Sequence, residues 1–245
     1  MLRILLRNLF GFFALLVFGL SLIITSIAYV LVFTFASKQK APHLAHRYIS
    51  RNWAKFLFPA FGIRVKIIHG ERIDPDTTYV FAANHRSLLD VPAYAIACEN
   101  TFRFLAKAEL MKIPLMGYII RKLYISVDRK NKSARVKSME NMLNSIKENI
   151  SVFLCPEGTR NAGPEPLLPF HDGAFRLAIA AQVPLAVMTI RNSDRLLSPK
   201  HPFALSPGTM ECIWSEPIPT TGMTEDDIPR LREMARSEMI RHWTS

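Results

Sequence analysis

Residues 9–37 carry no charged side chain, and no other stretch of this 245-residue sequence restricts its folding so severely. From Leu9 to Ser37 the run is rich in Phe, Leu, Ile and Val. As a helix it rises roughly 40 Å, more than the ~30 Å hydrocarbon core of a bilayer. A soluble fold of this size has no place to bury so long a uniformly apolar rod. Its length, and the lack of a small-residue cleavage site before polar sequence, argue against a secretory signal. The run therefore predicts a membrane-attached helix, either spanning the bilayer or lying in one leaflet. Arg3 and Arg7 precede it, and Lys38, Lys40, Arg47, Arg51 and Lys55 follow it. If the helix spans, the heavier basic flank puts the following domain on the cytoplasmic face, the inner membrane in a bacterium.

Residues 42–61 read as an amphipathic helix. Tyr48, Trp53, Phe56, Phe58 and Phe61 are interleaved there with His46, Arg47, Arg51 and Lys55. That composition suits the headgroup level of a membrane, and an interfacial helix is expected over an ordinary surface helix packed on the domain. The expected organisation is a membrane-anchoring unit over 1–61 and a folded domain over 62–245. The formal net charge of +11 points to an anionic partner. An anionic bilayer and a phosphorylated substrate fit; nucleic acid does not, because the aromatics cluster in the apolar amino-terminal segment rather than along a basic sheet face. Cys98, Cys155 and Cys212 lie far apart without metal-ligand spacing. Buried reduced thiols are expected, which suits a reducing compartment.

After Phe61-Gly62 short apolar runs alternate with helical patterns. Strands are expected at Arg64 to His69, Thr78 to Ala83, Thr101 to Ala106, Leu123 to Val127, Val152 to Cys155, Pro184 to Ile190 and Thr209 to Trp214. Helices are expected at Asp90 to Glu99, Pro114 to Lys122, Lys132 to Asn149, Gly173 to Gln182 and Asp227 to about Trp243. In the third of these Val136, Met139, Met142, Leu143, Ile146 and Ile150 recur as a core-facing stripe. The fold class is α/β, with a mostly parallel sheet flanked by helices.

The apolar run Thr78-Tyr79-Val80-Phe81-Ala82-Ala83 closes on Asn84-His85-Arg86-Ser87-Leu88-Leu89-Asp90. This puts a histidine at the carboxyl end of a strand, where α/β sheets do chemistry, with a carboxylate five residues on. A neutral imidazole takes a proton from a hydroxyl, and a carboxylate fixes its tautomer. Asp90 also reads as a helix N-cap with Val91-Pro92 in the first helical positions, as Asp227 does before Ile228-Pro229. Three further strand ends deliver cations: Lys107, Arg129 in Asp128-Arg129-Lys130, and Arg160 in Pro156-Glu157-Gly158-Thr159-Arg160. Parallel strands end on one side, so these cations can converge near His85 as a phosphate site. A solvated basic rim gives the same pattern.

The sequence has no Gly-x-Ser-x-Gly elbow, no Gly-x-x-x-x-Gly-Lys-Ser/Thr loop and no Gly-x-Gly-x-x-Gly. The other histidines show no metal spacing. What remains is chemistry that needs a base, a carboxylate and phosphate-binding cations.

Asn84-His85-x4-Asp90, Lys107-x-Glu109-Leu110-x3-Pro114-x2-Gly117, Val127-Asp128-Arg129, Pro156-Glu157-Gly158-Thr159-Arg160 and Val183-Pro184 stand in the order and spacing of the glycerolipid acyltransferases. Over about residues 60–215 the chain resembles the bacterial 1-acyl-glycerol-3-phosphate acyltransferases, and Phe170-x2-Gly173-Ala174-Phe175 matches as well. The resemblance implies a glycerol-3-phosphate acyltransferase-like fold. It also implies acyl transfer, without a metal or further cofactor, from acyl-CoA or acyl-ACP to the free hydroxyl of a lysophospholipid at the membrane. His85 would be the general base and Asp90 its orienting partner. Glu157, Gly158, Thr159 and Arg160 would belong to the acceptor site, with Lys107 and Arg129 near the phosphate and Val183-Pro184 on the acyl side. Backbone amides around Gly158 would hold the oxyanion. The amino-terminal helices would form a two-helix membrane-docking motif. Two positions depart from the family pattern: the glycine and phenylalanine that usually precede Asp-Arg are missing before Asp128, and Arg86 replaces a common glutamine. The acceptor is thus lysophosphatidic acid, or another lysolipid such as a lyso-ornithine lipid. An idle anionic-lipid binder is the non-catalytic reading.

Overall fold

The computed structural model describes residues 2–127 and 131–244. The seven expected strands are all present: β1 (Ile63–Ile68), β2 (Val80–Ala83), β3 (Phe102–Lys107), β4 (Ile125–Val127), β5 (Ser151–Leu154), β6 (Leu185–Arg191) and β7 (Gly208–Trp214). They form one sheet in the order β1-β7-β6-β2-β5-β3-β4. From β6 to β4 every pairing is parallel; β7 runs antiparallel to β6 and parallel to β1. β2 lies at the centre, and all four of its residues are buried. Its unbroken apolar run follows from that position, since both faces of a central parallel strand are covered.

Alternate residues of β2 serve two cores. Phe81 and Ala83 face a layer containing helix α3 (Arg51–Ala60), helix α4 (Asp90–Ala97) and Trp214 of β7. Val80 and Ala82 face helices α6 (Lys132–Lys147), α7 (Gly173–Ala181) and α9 (Ile228–Thr244). Phe81 sits 5.4 Å from the Trp214 ring and 5.7 Å from Phe153. Its truncation to alanine would cost about 3–5 kcal/mol. Helix α5 (Met116–Leu123) links β3 to β4, and the one-turn α8 (Ser193–Leu196) follows β6. Val136 departs from its expected stripe: it is 57% exposed, because the core contact of α6 begins further along, at Met142 and Ile146.

Helix α1 (Leu2–Phe35) holds the apolar run as far as Phe35 and is, among the described residues, the one helix long and apolar enough to cross a membrane. Its return partner is a rod built from α2 (Lys40–Leu44), a π-helical turn (Ala45–Ser50) and α3. Trp53 Nε1 donates to Ser21 Oγ at 2.9 Å, Tyr29 and Ser50 share a hydrogen bond of 2.8 Å, and Phe18 stacks on Trp53. At the other end of α1, Arg7 donates to the carbonyl of Ala204. The helix is thus fastened to the domain from Arg7 to Tyr29. Its opposite face leaves Leu9, Phe12, Leu16, Leu20, Ile24 and Leu31 exposed.

The rod corrects the expected interfacial stripe over 42–61. Of its five aromatics only Tyr48 and Phe56 face outward; Phe58 and Phe61 belong to the sheet core and Trp53 is half-buried. The π turn lets Ala41, Ala45, Ile49 and Leu57 keep one buried side along the rod. No cysteine is disulfide-bonded, and burial pushes the thiols of Cys98 and Cys212 above their ordinary range.

Candidate active site

The end of β2 is where the chain leaves the sheet without breaking its hydrogen bonding. Asn84 is buried, and its side-chain amide replaces the next ladder rung: Oδ1 accepts from the N–H of Ile190 at 2.7 Å while Nδ2 donates to the Ile190 carbonyl at 2.9 Å. The Asn84 backbone is free to turn away, with its carbonyl taken by the Tyr94 hydroxyl. The following residue, His85, is thereby delivered to the carboxyl edge of the sheet.

His85 Nδ1 lies 2.8 Å from Asp90 Oδ2. A carboxylate only accepts, so Nδ1 carries a proton, and in the neutral ring Nε2 is the nitrogen with the lone pair. Nε2 makes no hydrogen bond among the described residues, and the ring is 15% exposed. The same Oδ2 accepts the amides of Arg86 and Ser87, each at 2.7 Å. Asp90 is fully buried. Three donors and the first turn of α4 stabilise a charge that burial alone would make costly. The other oxygen, Oδ1, is buried and takes no hydrogen bond among the described residues.

This geometry corrects the capping expectation. Asp90 is the first residue of α4 and does not cap it; the carboxylate reaches backward, to amides three and four residues upstream. The arrangement resembles a capping box, since Ser87 Oγ also accepts the Leu89 amide. Asp227 behaves alike: it is the third-position acid of a box opened by Thr224. The Ser87-x-x-Asp90 spacing was the legible signal. One Asp90 oxygen serves the loop and the imidazole together.

Glu157 follows β5, the neighbour of β2. Its Oε1 accepts the His85 amide at 3.0 Å and its Oε2 accepts the Leu168 amide at 2.8 Å. Burial raises its pKa above the ordinary carboxylate range, opposed by those two backbone bonds. Both oxygens hold backbone, so Glu157 positions His85 and does not itself face the cleft. Gly158 sits at φ 68° and its N–H donates to the Cys155 carbonyl at 2.9 Å. Pro156 second and Gly158 fourth are the residues such a turn favours. That amide is consequently not open for an oxyanion, which leaves its neighbours in the turn. The amides of Thr159 and Arg160 make no hydrogen bond among the described residues.

Asn161 was missed in the sequence. It is fully buried, its amide donates to the His85 carbonyl at 2.7 Å, and its side chain holds Gly163 and Glu165. Glu157 and Asn161 therefore pin both ends of the segment carrying exposed Thr159 and Arg160 onto the backbone of His85. The Arg160 guanidinium has no partner among the described residues. Arg86 was noted only as a departure; it proves to be buried, with Nε 2.8 Å from Asp194 Oδ2 and its other nitrogens on the carbonyls of Gly163 and Glu165. Its guanidinium lies 5.0 Å from the Trp243 ring.

Lys107 ends β3 on the same edge, and its side chain is not among those described. Arg129 lies outside the described residues. Val183-Pro184 is placed elsewhere: Pro184 accepts the amide of Val80 at the start of β2, about 16 Å of extended chain from His85.

The Acyltransferase family model matches residues 64–191, which holds every element of this site from β1 to β6. The chain belongs to the acyltransferase family. It is 31% identical over 189 residues to the mouse 1-acyl-sn-glycerol-3-phosphate acyltransferase alpha, covering 76% of this chain and 65% of the relative. The human beta enzyme of that name is 30% identical, covering 73% of this chain and 64% of its own length, so the chain spans slightly less than two-thirds of both mammalian acyltransferases. The Haemophilus influenzae 1-acyl-sn-glycerol-3-phosphate acyltransferase is 29% identical over 74% of each chain. The crystal structure of the 1-acyl-sn-glycerophosphate (LPA) acyltransferase PlsC from Thermotoga maritima shares the fold, with a TM-score of 0.76 at 24% identity over 98% of this chain and 95% of that one.

Proposed function

We propose that the protein transfers an acyl chain from an acyl-thioester to the free hydroxyl of 1-acyl-glycerol-3-phosphate, giving phosphatidic acid. The observation that carries this reading is the His85–Asp90 contact of 2.8 Å at the sheet edge, with Nε2 open. Nε2 accepts the acceptor's hydroxyl proton as that oxygen attacks the thioester carbonyl. Asp90 stabilises the imidazolium so formed. The tetrahedral intermediate collapses with cleavage of the C–S bond, and the proton passes from the imidazolium to the departing thiolate. The amides of Thr159 and Arg160 are the donors this turn offers to the oxyanion. Arg160, exposed and without a partner among the described residues, suits the acceptor's phosphate, and Lys107 and Arg129 supply further charge.

The enzyme works at a membrane, with α1 laid along it. The bonds from Arg7 to Ala204 and from Tyr29 to Ser50, which fasten α1 alongside the domain and its rod, support a helix lying along the surface. Acyl-CoA or acyl-ACP would reach the site from the cytoplasmic face, where unpaired thiols persist. Purified protein in mixed micelles, given labelled acyl donors and a panel of lysolipids, tests the proposal. Labelled phosphatidic acid from lysophosphatidic acid is expected. Transfer solely to another lysolipid would replace the acceptor, and lipid binding without transfer would overturn the catalytic reading.

A further inference from the structure

Between the end of β3 and helix α5 the chain runs Leu110-Met111-Lys112-Ile113-Pro114-Leu115-Met116. Leu110, Ile113 and Leu115 are 38%, 43% and 43% exposed. Such a run on the outside of a folded domain calls for a partner. It is also firmly held. The Gly117 amide donates to the Ile113 carbonyl at 2.7 Å, and Arg121 donates to the Met111 carbonyl at 3.0 Å. A Cβ on Gly117 would stand 2.2 Å from the Met111 oxygen, so only glycine allows this approach. Leu115 sits at φ 61°, a conformation glycine adopts freely and leucine resists. A large apolar side chain is held outward there at a backbone cost.

Two features name the occupant. The segment is continuous with α1 through α5: Ile119 and Leu123 pack in one cluster with Tyr29 and, beside it, Leu22, Val32 and Phe33. Lys122 Nζ lies 5.9 Å from the Phe33 ring. Cations are interleaved as well, with Lys112, Arg121 and Lys122 beside the leucines, the composition that settles at the headgroup level of an anionic bilayer. The segment follows β3, on the same sheet edge as His85.

We infer that residues 110–116 are a second membrane-inserting element, which seats the carboxyl edge of the sheet on a phospholipid surface. The acceptor's acyl chain then stays in the bilayer while its hydroxyl reaches His85. The inference rests on the reading that the exposed face of α1 lies in the membrane.

The test uses the full chain with vesicles of phosphatidylcholine and phosphatidylglycerol. Transfer to a vesicle-embedded lysolipid is compared with transfer to a short-chain, water-soluble acceptor. The double variant Ile113→Asp, Leu115→Asp should lose about tenfold or more with vesicles and keep its activity on the soluble acceptor. Leu115→Gly removes the side chain and relieves the backbone, so it should melt no lower than the parent yet transfer less well on vesicles. A tryptophan at Ile113 should be quenched by brominated lipid. Equal vesicle transfer by both variants, or an unquenched tryptophan, would overturn the inference. So would loss of a dimer with vesicle transfer intact, which assigns the patch to a second copy. Vesicle flotation separates the two layers of the reading. If the parent fails to float, the α1 reading falls; if parent and variants float and transfer alike, only the second element falls.

Discussion

Two histidines sit close to opposite ends of the central strands, and their surroundings give them opposite chemistry. His85, at the carboxyl edge, has a carboxylate on one ring nitrogen and an open second nitrogen. His46, near the amino edge, is buried against Phe102 with Nε2 on the Cys98 carbonyl. Burial above all, and then the nearby Arg51 and His43, pushes its pKa down to about 4. On the proposed mechanism the first ring gains a proton during transfer; the second would gain one only at the expense of the fold. Beside His46 opens a cleft of about 480 Å³ lined by His43, Arg47 and Arg51 but also by Asp76 and Glu99, with Arg51 already 2.9 Å from Glu99. Charge there is balanced internally. At the His85 edge Arg160 has no partner among the described residues. A cation without such a partner and an open ring nitrogen, more than cavity size, separate a reactive edge from a structural one.

Substitution of the two rings sharpens the contrast most. His85→Ala should lower the transfer rate by about 10²–10⁴-fold with little change in melting temperature. His46→Phe should leave the rate within about twofold, because no proton is exchanged at a buried neutral ring. A large rate loss at His46 would erase the distinction. Asp90→Asn comes next, at about 10²–10³-fold, because an amide oxygen can still accept the three N–H groups but carries no charge to stabilise the imidazolium of the proposed mechanism, and its NH2 is left buried where Oδ1 has no partner among the described residues. Its melting temperature should fall too, which separates it from His85→Ala.

Arg160→Ala should raise the acceptor KM by about tenfold, the worth of one charge-assisted contact, and leave the donor KM unchanged. Arg86→Ala should cost about 2–3 kcal/mol in chemical unfolding, since it strands Asp194 and the carbonyl of Gly163. The smallest effect is the pH dependence of His46. Its folded pKa is lowered, so the unfolded chain binds more protons between about 4 and its ordinary value, and stability falls as pH falls through that window. The loss should reach at most roughly 3 kcal/mol, and the melting temperature of His46→Phe should show a shallower acid slope over that range.

Much of the reactive edge was legible. The apolar run of β2 marks a central strand, and the histidine after it is placed by the general habit of parallel sheets. Glu157 was legible as a site residue, but not its work, because nothing in Pro156-Glu157-Gly158 says that both oxygens hold backbone. Asn161 and Arg86 were harder. Their partners lie in the 163–166 loop, in α8 and at Trp243, none of which sequence distance relates to His85. The aromatics of 42–61 looked interfacial because a helix with aromatics on two sides reads the same whether one side meets lipid or a sheet.

By itself the sequence determined the long apolar helix, the alternation of strands and helices, and the histidine at a strand end. These follow from local chemistry: uninterrupted hydrophobicity, periodicity, and an ionisable group at a strand end. Only the tertiary structure decided that α1 lies along the domain, that one oxygen of Asp90 serves three donors, and that the Gly158 amide is already spent on a turn. Hydrogen bonds have few acceptors to share in a buried loop, and which donors claim them is fixed by three-dimensional proximity that no local pattern records.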